Sequence, residues 1–174
     1  TWTKSYAVFG QATINPTDRL SLILGARLGR DDVRAETTAA ELETGAAYIL
    51  LPADAVNARV RDTYLSYRLG AQYDVSNDLM VFATYTRGYK GPAVNDTSVS
   101  SKQPQTVRPE IPKAGEIGFK ATLAGGRAAF NATAFYTKVT DFQAQFWDPI
   151  LAAFIFGNAP SLKSNELQRL NRKA

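Results

Sequence analysis

Acidic residues are the side chains of this sequence that come closest to a site for chemistry. Asp31 and Asp32 are followed by Glu41 and Glu43, and carboxylates are the oxygen ligands that Ca²⁺ prefers. The spacing of these four residues does not match an EF-hand loop, however. We therefore predict no metal site and no bound cofactor.

Histidine and cysteine are both absent from the chain. Without them the Ser-His-Asp and Cys-His arrangements of nucleophilic catalysis are impossible, and so are disulfides and thiolate metal sites. An enzyme would have to rely on two carboxylates facing each other, and no such pair stands out on a common face. We therefore expect a protein that is not an enzyme.

Composition excludes further classes of protein. The chain has 174 residues, of which 45% are apolar and 21% charged, as in an ordinary folded domain. The net charge of +4 is small and scattered, so nucleic acid is not an expected partner. The longest apolar run, Pro149–Gly157, is about half of the roughly 18 residues that a membrane-spanning helix needs.

Alternation of apolar and polar residues recurs along the chain with a period of two, which is typical of half-buried β-strands. In Leu20–Leu28, for example, four leucines share one face and Arg27 lies on the other. Strands are predicted at Tyr6–Ile14, Leu20–Leu28, Thr63–Tyr73, Leu79–Tyr89, Glu116–Leu123, Ala128–Thr137 and around Ala152–Phe156. The polar face of these strands carries Arg27, Arg68, Gln72, Lys120 and Asn131.

Short and long connections alternate between these strands. Asn15–Arg19, Asp74–Asp78 and Ala124–Gly126 are short turns, whereas the connections from Asp31 to about Arg59 and from Lys90 to Gly115 are long. One rim of the sheet thus has only short turns and the other carries large loops, which is typical of transmembrane β-barrels. The last hairpin is an exception, because it turns near residues 147–150 without a long insertion.

The same alternation would also fit a soluble barrel whose apolar face points inward. Three features favour lipid as the surroundings of the apolar face: long strands, long loops on a single rim, and tyrosines gathered near strand ends. These tyrosines are Tyr64, Tyr67, Tyr73, Tyr85, Tyr89 and Tyr136. We therefore predict an all-β fold, an antiparallel up-and-down transmembrane β-barrel whose polar face lines a wet lumen.

Four segments of the chain also resemble, in order, consecutive parts of the barrel of TonB-dependent outer-membrane receptors. They are YAVFGQATINPTDRLSLILGAR, LSYRLGAQYDVSNDLMVFATYTRGYKG, VRPEIPKAGEIGFKATLAGG and RAAFNATAFYTKVTDFQAQFWD. The similarity is greatest to the siderophore-receptor branch, in which a run like YTRGYKG leaves a strand, a Pro-Glu pair opens the next and EIGFK follows. Here these motifs are Tyr85–Gly91, Pro109–Glu110 and Glu116–Lys120, and the resemblance covers roughly residues 5–160.

The resemblance implies a receptor in the outer membrane of a Gram-negative bacterium, with a barrel of about 22 strands and an N-terminal plug. Such receptors import ferric siderophores, vitamin B12 or glycans with energy delivered through TonB. Residues 1–160 would supply about seven of the strands, and residues 161–174 form a polar tail whose structure is left open. The implied partners are outer-membrane lipid, a ferric siderophore or similar nutrient, and TonB only through segments absent from this sequence. Transport by this chain alone is not expected.

Ligand contacts in the family come from the extracellular loops and the lumen, which implies candidate residues in the long loops and upper strands. These are Arg87, Lys90, Asn95, Asp96, Arg108, Phe142, Gln143, Gln145 and Trp147. Two alternatives stay open: a smaller outer-membrane barrel, a porin or adhesin, in which the tail forms an eighth strand, and a soluble lipocalin-like barrel that encloses a lipid. The sequence does not name the substrate.

Overall fold

The protein is described by a computed structural model that covers residues 1–37, 56–95, 105–148 and 153–172. Its strands are β1 (Trp2–Thr17), β2 (Leu20–Thr37), β3 (Val56–Ser76), β4 (Leu79–Arg87), β5 (Ala93–Val94), β6 (Thr106–Val107), β7 (Ile111–Leu123), β8 (Ala128–Asp148) and β9 (Ala153–Arg172). Seven of them form one antiparallel sheet in the order β1-β2-β3-β4-β7-β8-β9, while β5 pairs only with β6. This meander confirms the predicted all-β architecture. Within the described residues β1 and β9 do not pair, so the sheet is open.

Among the described residues, there is no helix that could span a lipid bilayer.

The short turns lie where the sequence predicts them, and local side chains or backbone angles explain each one. The Thr17 hydroxyl accepts hydrogen bonds from the backbone N–H groups of Arg19 (3.3 Å) and Leu20 (3.1 Å). The Ser76 hydroxyl accepts one from Asp78 N–H at 3.2 Å. The turn between β7 and β8 has positive φ at Ala124, Gly125 and Gly126 (53°, 64° and 94°), a region in which glycine has no steric penalty.

The connection between β2 and β3 is shorter than predicted. Asp31–Thr37 pairs in register with Val56–Asp62, so the predicted loop from Asp31 to about Arg59 is wrong at both ends. The alternation is lost in this extension. Like charges lie opposite each other at Asp31–Asp62 and Arg34–Arg59, but one carboxylate between them bridges two arginines across the strands. Asp32 pairs with Arg59, and its carboxylate also lies 3.0 Å from Arg61 Nε. Glu41 and Glu43 lie outside the described residues.

The connection between β4 and β7 is also more ordered than predicted. β7 begins at Ile111, five residues before the predicted strand, and β5 and β6 form a short hairpin within the predicted loop. We call residues 88–95 and 105–110 together the strap. Lys90 and Glu110 exchange two backbone hydrogen bonds of 2.9 and 3.0 Å at its base, and the Asn95 N–H donates to the Gln105 carbonyl at 2.9 Å.

The last strand, β9, continues past residue 160, where the barrel segment was predicted to end. β9 pairs with β8 as far as Arg172, which lies opposite Ala129. Residues 161–172 therefore continue the predicted seventh strand and do not add an eighth. The ladder is made by backbone hydrogen bonds, which do not need the alternation that the tail lacks. The division of the chain at residue 160 stays a prediction.

The two faces of the sheet differ in the way that the alternation predicts. Register places Leu24, Leu28 and Leu69 on one face, with 43%, 51% and 46% of their surface exposed. We call this the apolar face. The opposite or polar face carries the five predicted residues of the lumen: Arg27, Arg68, Gln72, Lys120 and Asn131. The apolar face is thus not packed into a protein core.

Two glycines on the polar face make room for aromatic rings. A Cβ atom at Gly29 would lie 2.3 Å from Tyr64 Cζ, and one at Gly118 would lie 2.6 Å from Phe82 Cζ. The Tyr64 ring also stacks on the ring of Tyr89, with centroids 3.7 Å apart. The prediction that Tyr64 and Tyr89 belong to an aromatic girdle is therefore wrong, because the two rings pack against each other over the polar face.

Candidate functional site

A groove on the polar face runs across β1 to β4 and contains two of the predicted lumen arginines. The Arg27 Nε donates a hydrogen bond to the Tyr64 hydroxyl at 3.1 Å, and its guanidinium lies 5.9 Å from the centre of the Phe9 ring. Arg68 lies opposite Gly25 on one side and Thr86 on the other. The groove is lined by Phe9, Gly10, Gln11, Gly25, Ala26, Arg27, Ser66, Tyr67, Arg68, Thr86, Arg87 and Gly88.

This combination of side chains suits a ligand with negative charge and flat or apolar parts. Guanidinium groups form charge-assisted hydrogen bonds with anionic oxygens. The rings of Phe9 and Tyr64 flank Arg27 and offer apolar surface. The groove can therefore bind an anion but contains no histidine or cysteine to act as a base, nucleophile or soft metal ligand.

Tyr89 of the strap stacks on Tyr64 of the sheet and so connects the two. Its ring is nearly parallel to that of Tyr64, with an angle of 11° between the planes. Its hydroxyl is buried and has no hydrogen-bond partner among the described residues. Burial raises the pKa of Tyr89, and the nearby carboxylates of Asp62 and Asp31 raise it further, so the hydroxyl stays neutral.

The strap is joined to β8 and β9 by three side-chain amides. The Asn95 amide donates to the Phe156 carbonyl and accepts from the Phe156 N–H, both at 3.0 Å. The Asn158 amide does the same with Arg108, at 2.9 and 2.8 Å. The Gln143 amide donates to the carbonyls of Gly91 (2.8 Å) and Arg108 (3.0 Å).

Charged groups support the same junction. The Arg108 guanidinium lies 2.7 Å from the Asp141 carboxylate. The Glu110 carboxylate accepts a hydrogen bond from the Gln143 N–H at 3.0 Å, and Lys90 Nζ lies 3.4 Å from the same oxygen. The strap is thus held to the β8–β9 hairpin by uncharged and charged contacts together.

Four of the nine predicted ligand residues come together at this junction, namely Lys90, Asn95, Arg108 and Gln143. Arg87 lies at the end of β4, where its guanidinium donates to the Leu65 carbonyl. The remaining described candidates lie on β8: Phe142 is half-buried, Gln145 is exposed, and Trp147 meets Phe154 edge to face at 5.1 Å. Asp96 lies outside the described residues. Ligand binding by all nine stays a prediction.

Several residues of the site were not among the sequence candidates. Asn158, Asp141 and Glu110 complete the junction, and Tyr64 accepts a hydrogen bond from Arg27 beside the groove. One signal for Asn158 was available, since it is a lone amide after the apolar run of β9. No sequence signal pairs it with Arg108, which is 50 residues away.

An open antiparallel meander with an exposed apolar face, a charged opposite face and an ordered connection over that face is typical of the wall of an outer-membrane barrel. Residues 3–165 match the family model described as "TonB dependent receptor-like, beta-barrel". The chain therefore belongs to the TonB-dependent receptor family, whose members are found in Gram-negative outer membranes.

Solved structures agree with this assignment at the level of the fold. The ferric yersiniabactin uptake receptor FyuA from Yersinia pestis superimposes with a TM-score of 0.73 at 19% identity, over 95% of this chain and 23% of its own. The ferric-catecholate import receptor Fiu from Escherichia coli K12 gives 0.66 at 17% identity, over 97% and 25%. The copper transporter OprC gives 0.70 at 19% identity, over 95% and 26%. The chain thus spans about a quarter of the length of these proteins.

Proposed function

We propose that this chain forms part of the barrel wall of an outer-membrane receptor that takes up ferric siderophores or similar scarce nutrients, with TonB as the energy-coupling partner of the whole receptor. Membership of the TonB-dependent receptor family is the observation that carries the proposal. A role in transport also agrees with a groove that lacks the usual catalytic side chains. We infer that the chain is not an enzyme.

Lipid is the proposed neighbour of the apolar face. The side chains of Leu24, Leu28 and Leu69 are about half exposed, although their alternation with polar residues indicates that the apolar face avoids water. A soluble lipocalin-like barrel would enclose these side chains, so their exposure counts against that alternative. The porin or adhesin alternative required the tail to form an eighth strand, whereas it continues β9.

An anionic ligand is the proposed cargo. The guanidinium groups of Arg27 and Arg68 lie in one groove of the polar face and supply positive charge beside aromatic rings. Two of the similar structures are named as importers of ferric complexes, FyuA and Fiu. The residues predicted from the resemblance would add contacts from the strap and from β8.

Uptake by cells tests this function directly. The longest reading frame that contains this sequence is produced in a Gram-negative host that lacks its own iron receptors. Cells are then supplied with ⁵⁵Fe-loaded catecholate, hydroxamate and mixed-ligand siderophores as probes. We expect TonB-dependent uptake of at least one probe, and a loss of roughly tenfold or more in Arg27→Gln/Arg68→Gln, because two charge-assisted contacts are removed.

Arg30→Gln is the matched control for that experiment. Arg30 lies two residues after Leu28 on the apolar face of β2, away from the groove, and is opposite Tyr6 and Thr63. Its replacement should therefore leave uptake unchanged. Iron uptake no higher than in cells without the gene, for all probes, would overturn the proposal. Recovery of the protein in the soluble fraction would do the same.

A further inference from the structure

The strap bridges two parts of the sheet that are not neighbours. On one side Tyr89 stacks on Tyr64 of β3, and a Cβ atom at Gly91 would lie only 3.2 Å from a carboxylate oxygen of Asp31 on β2. On the other side Asn95 and Arg108 bind to β9. Because β4, β7 and β8 lie between β3 and β9, the strap crosses the polar face from one side to the other.

The strap is packed down along this path. Val107 is 2% exposed and Asn95 is 6% exposed, which places them among the most buried side chains of the described residues. Pro92 is buried as well. Gly88, at the start of the strap, lines the groove that contains Arg27 and Arg68. The strap therefore begins at one end of this groove and packs on the polar face beside it.

The amides of Asn95 and Asn158 each pair with a backbone in the way that a peptide group of a neighbouring strand would, and the Asn158 amide also donates to the Asp141 carbonyl at 2.8 Å. Each pairs with both the N–H and the C=O of a single residue, Phe156 or Arg108. A carboxylate has the same shape but cannot donate, so it would lose the hydrogen bond to the carbonyl and place a negative charge against it. The chemistry of these two contacts requires the amide.

We propose that the strap is a lid over the polar face and that the side-chain amides of Asn95, Gln143 and Asn158 are its latch. Breaking the latch lifts the strap from β8 and β9, separates Tyr89 from Tyr64 and uncovers the polar face beneath it. The inference rests on the proposed function only for the identity of the ligand that would pass beneath the lid. Its docking is a property of the chain that can be measured without any ligand.

Thiol labelling measures the docking of the strap. The chain has no cysteine, so Val107→Cys introduces a single reporter at a buried position of the strap. In the refolded protein we expect a maleimide to label it far more slowly than Thr106→Cys, which lies at an exposed position next to it. Adding Asn95→Asp or Asn158→Asp to Val107→Cys should raise the labelling rate by roughly tenfold or more, because each change removes the hydrogen bonds that the amide donates and places a negative charge against a carbonyl oxygen.

Gln145→Glu is the matched control. Gln145 lies on β8 directly opposite Phe156 and is exposed, so the same amide-to-carboxylate change next to the latch should leave the Val107→Cys rate unchanged. Hydrogen exchange of the Leu69 backbone amide is a second reporter. Leu69 pairs with Leu24 and Tyr85 in the middle of the sheet, so its amide should stay protected in the Asn95→Asp and Asn158→Asp backgrounds. This reporter separates lifting of the strap from loosening of the sheet.

Three results would overturn the lid. Val107→Cys would be labelled as fast as Thr106→Cys, which would show that the strap is not docked. Its rate would be the same with and without Asn95→Asp and Asn158→Asp, so the amides would not be the latch. Alternatively, the Leu69 amide would lose its protection from exchange together with Val107→Cys, so the whole sheet would open. A fourth result separates the two proposals. If Val107→Cys is labelled slowly and the latch variants speed its labelling, but the receptor imports none of the iron probes, the proposed function is overturned and the lid is supported.

Discussion

Asp32 shows at the scale of one residue how charge replaces alternation in holding strands together. Its carboxylate binds Arg59 and Arg61 across the β2–β3 pair, and these bonds, Arg59 foremost, hold the pKa of Asp32 well below its ordinary value of 3.8. The native state therefore keeps the carboxylate charged where the unfolded chain has protonated it. Its contribution to stability is complete above about pH 5 and is lost progressively as the pH falls further.

The lowered pKa of Asp32 predicts that acid weakens the pairing of β2 with β3. The protection of the Val33 and Val60 amides from hydrogen exchange, corrected for intrinsic rates, should fall between pH 5 and pH 2 by a larger factor in the native chain than in Asp32→Asn. Asp18→Asn is the control, because Asp18 lies in the turn after β1 and makes no ion pair with the described residues. Equal pH dependence in the native chain and Asp32→Asn would show that other carboxylates hold this hairpin.

Tyr89 separates the role of a ring from the role of its hydroxyl. The ring stacks on Tyr64, and the hydroxyl is buried without a partner among the described residues. Tyr89→Phe keeps the stack and should leave docking of the strap unchanged or slightly stronger, because an unpaired buried hydroxyl is removed. Tyr89→Leu should weaken docking by about 0.5–1.5 kcal/mol, the usual value of an aromatic pair.

The labelling rate of Val107→Cys reports both changes. If Tyr89→Phe speeds labelling more than Tyr89→Leu does, the contact of the hydroxyl with the nearby carboxylates, and not the stack, holds this end of the strap.

At the scale of the strand, close approach of side chains to backbone decides where glycine is needed. A Cβ atom at Gly118 of β7 would lie 2.5 Å from the Ala132 carbonyl oxygen and 2.6 Å from the Phe82 ring. Gly118→Ala should therefore destabilise the sheet by about 1–3 kcal/mol, the usual cost of overpacking. Gly115→Ala on the same strand meets nothing within 4 Å and should be neutral or slightly stabilising.

Urea midpoints of the two variants, refolded in detergent, make this comparison. Adding Phe82→Ala to Gly118→Ala should restore only part of the loss, because the clash with the backbone oxygen stays. A full recovery would assign the whole effect to the ring.

Strands whose side chains alternate could be predicted from the sequence, and strands held by other forces could not. Leu20–Leu28 was evident because one face is leucine, whereas its continuation to Thr37 depends on Asp32 meeting arginines of a distant strand. Residues 161–172 extend β9 through backbone pairing that leaves no pattern in the side chains. The latch depends on Asn95 meeting Phe156, which is 61 residues away, so only the folded chain reveals it.

At the scale of the whole molecule, the two faces of one open sheet define its surroundings. Its polar face carries arginines and the strap, and its apolar face carries exposed leucines. Backbone groups along the outer edges of β1 and β9 have no strand partner among the described residues. A sheet in hydrocarbon must pair such groups by closing, so further strands are required before the wall can work as a barrel.

The placement of the apolar face in lipid can be tested by moving one charge between the faces of β3. Leu69 lies mid-strand on the apolar face, between Leu24 and Tyr85, and Gln72 lies on the polar face three residues later. Leu69→Arg should weaken folding into lipid vesicles by about 2–4 kcal/mol, the cost of an arginine near the bilayer midplane. Gln72→Arg should cost little, because the polar face already holds Arg68 and meets water. The measurement is the urea midpoint of the vesicle-bound receptor that contains this chain. Equal effects of the two arginines would mean that water, and not hydrocarbon, surrounds Leu69, since only hydrocarbon makes the two faces unequal towards charge.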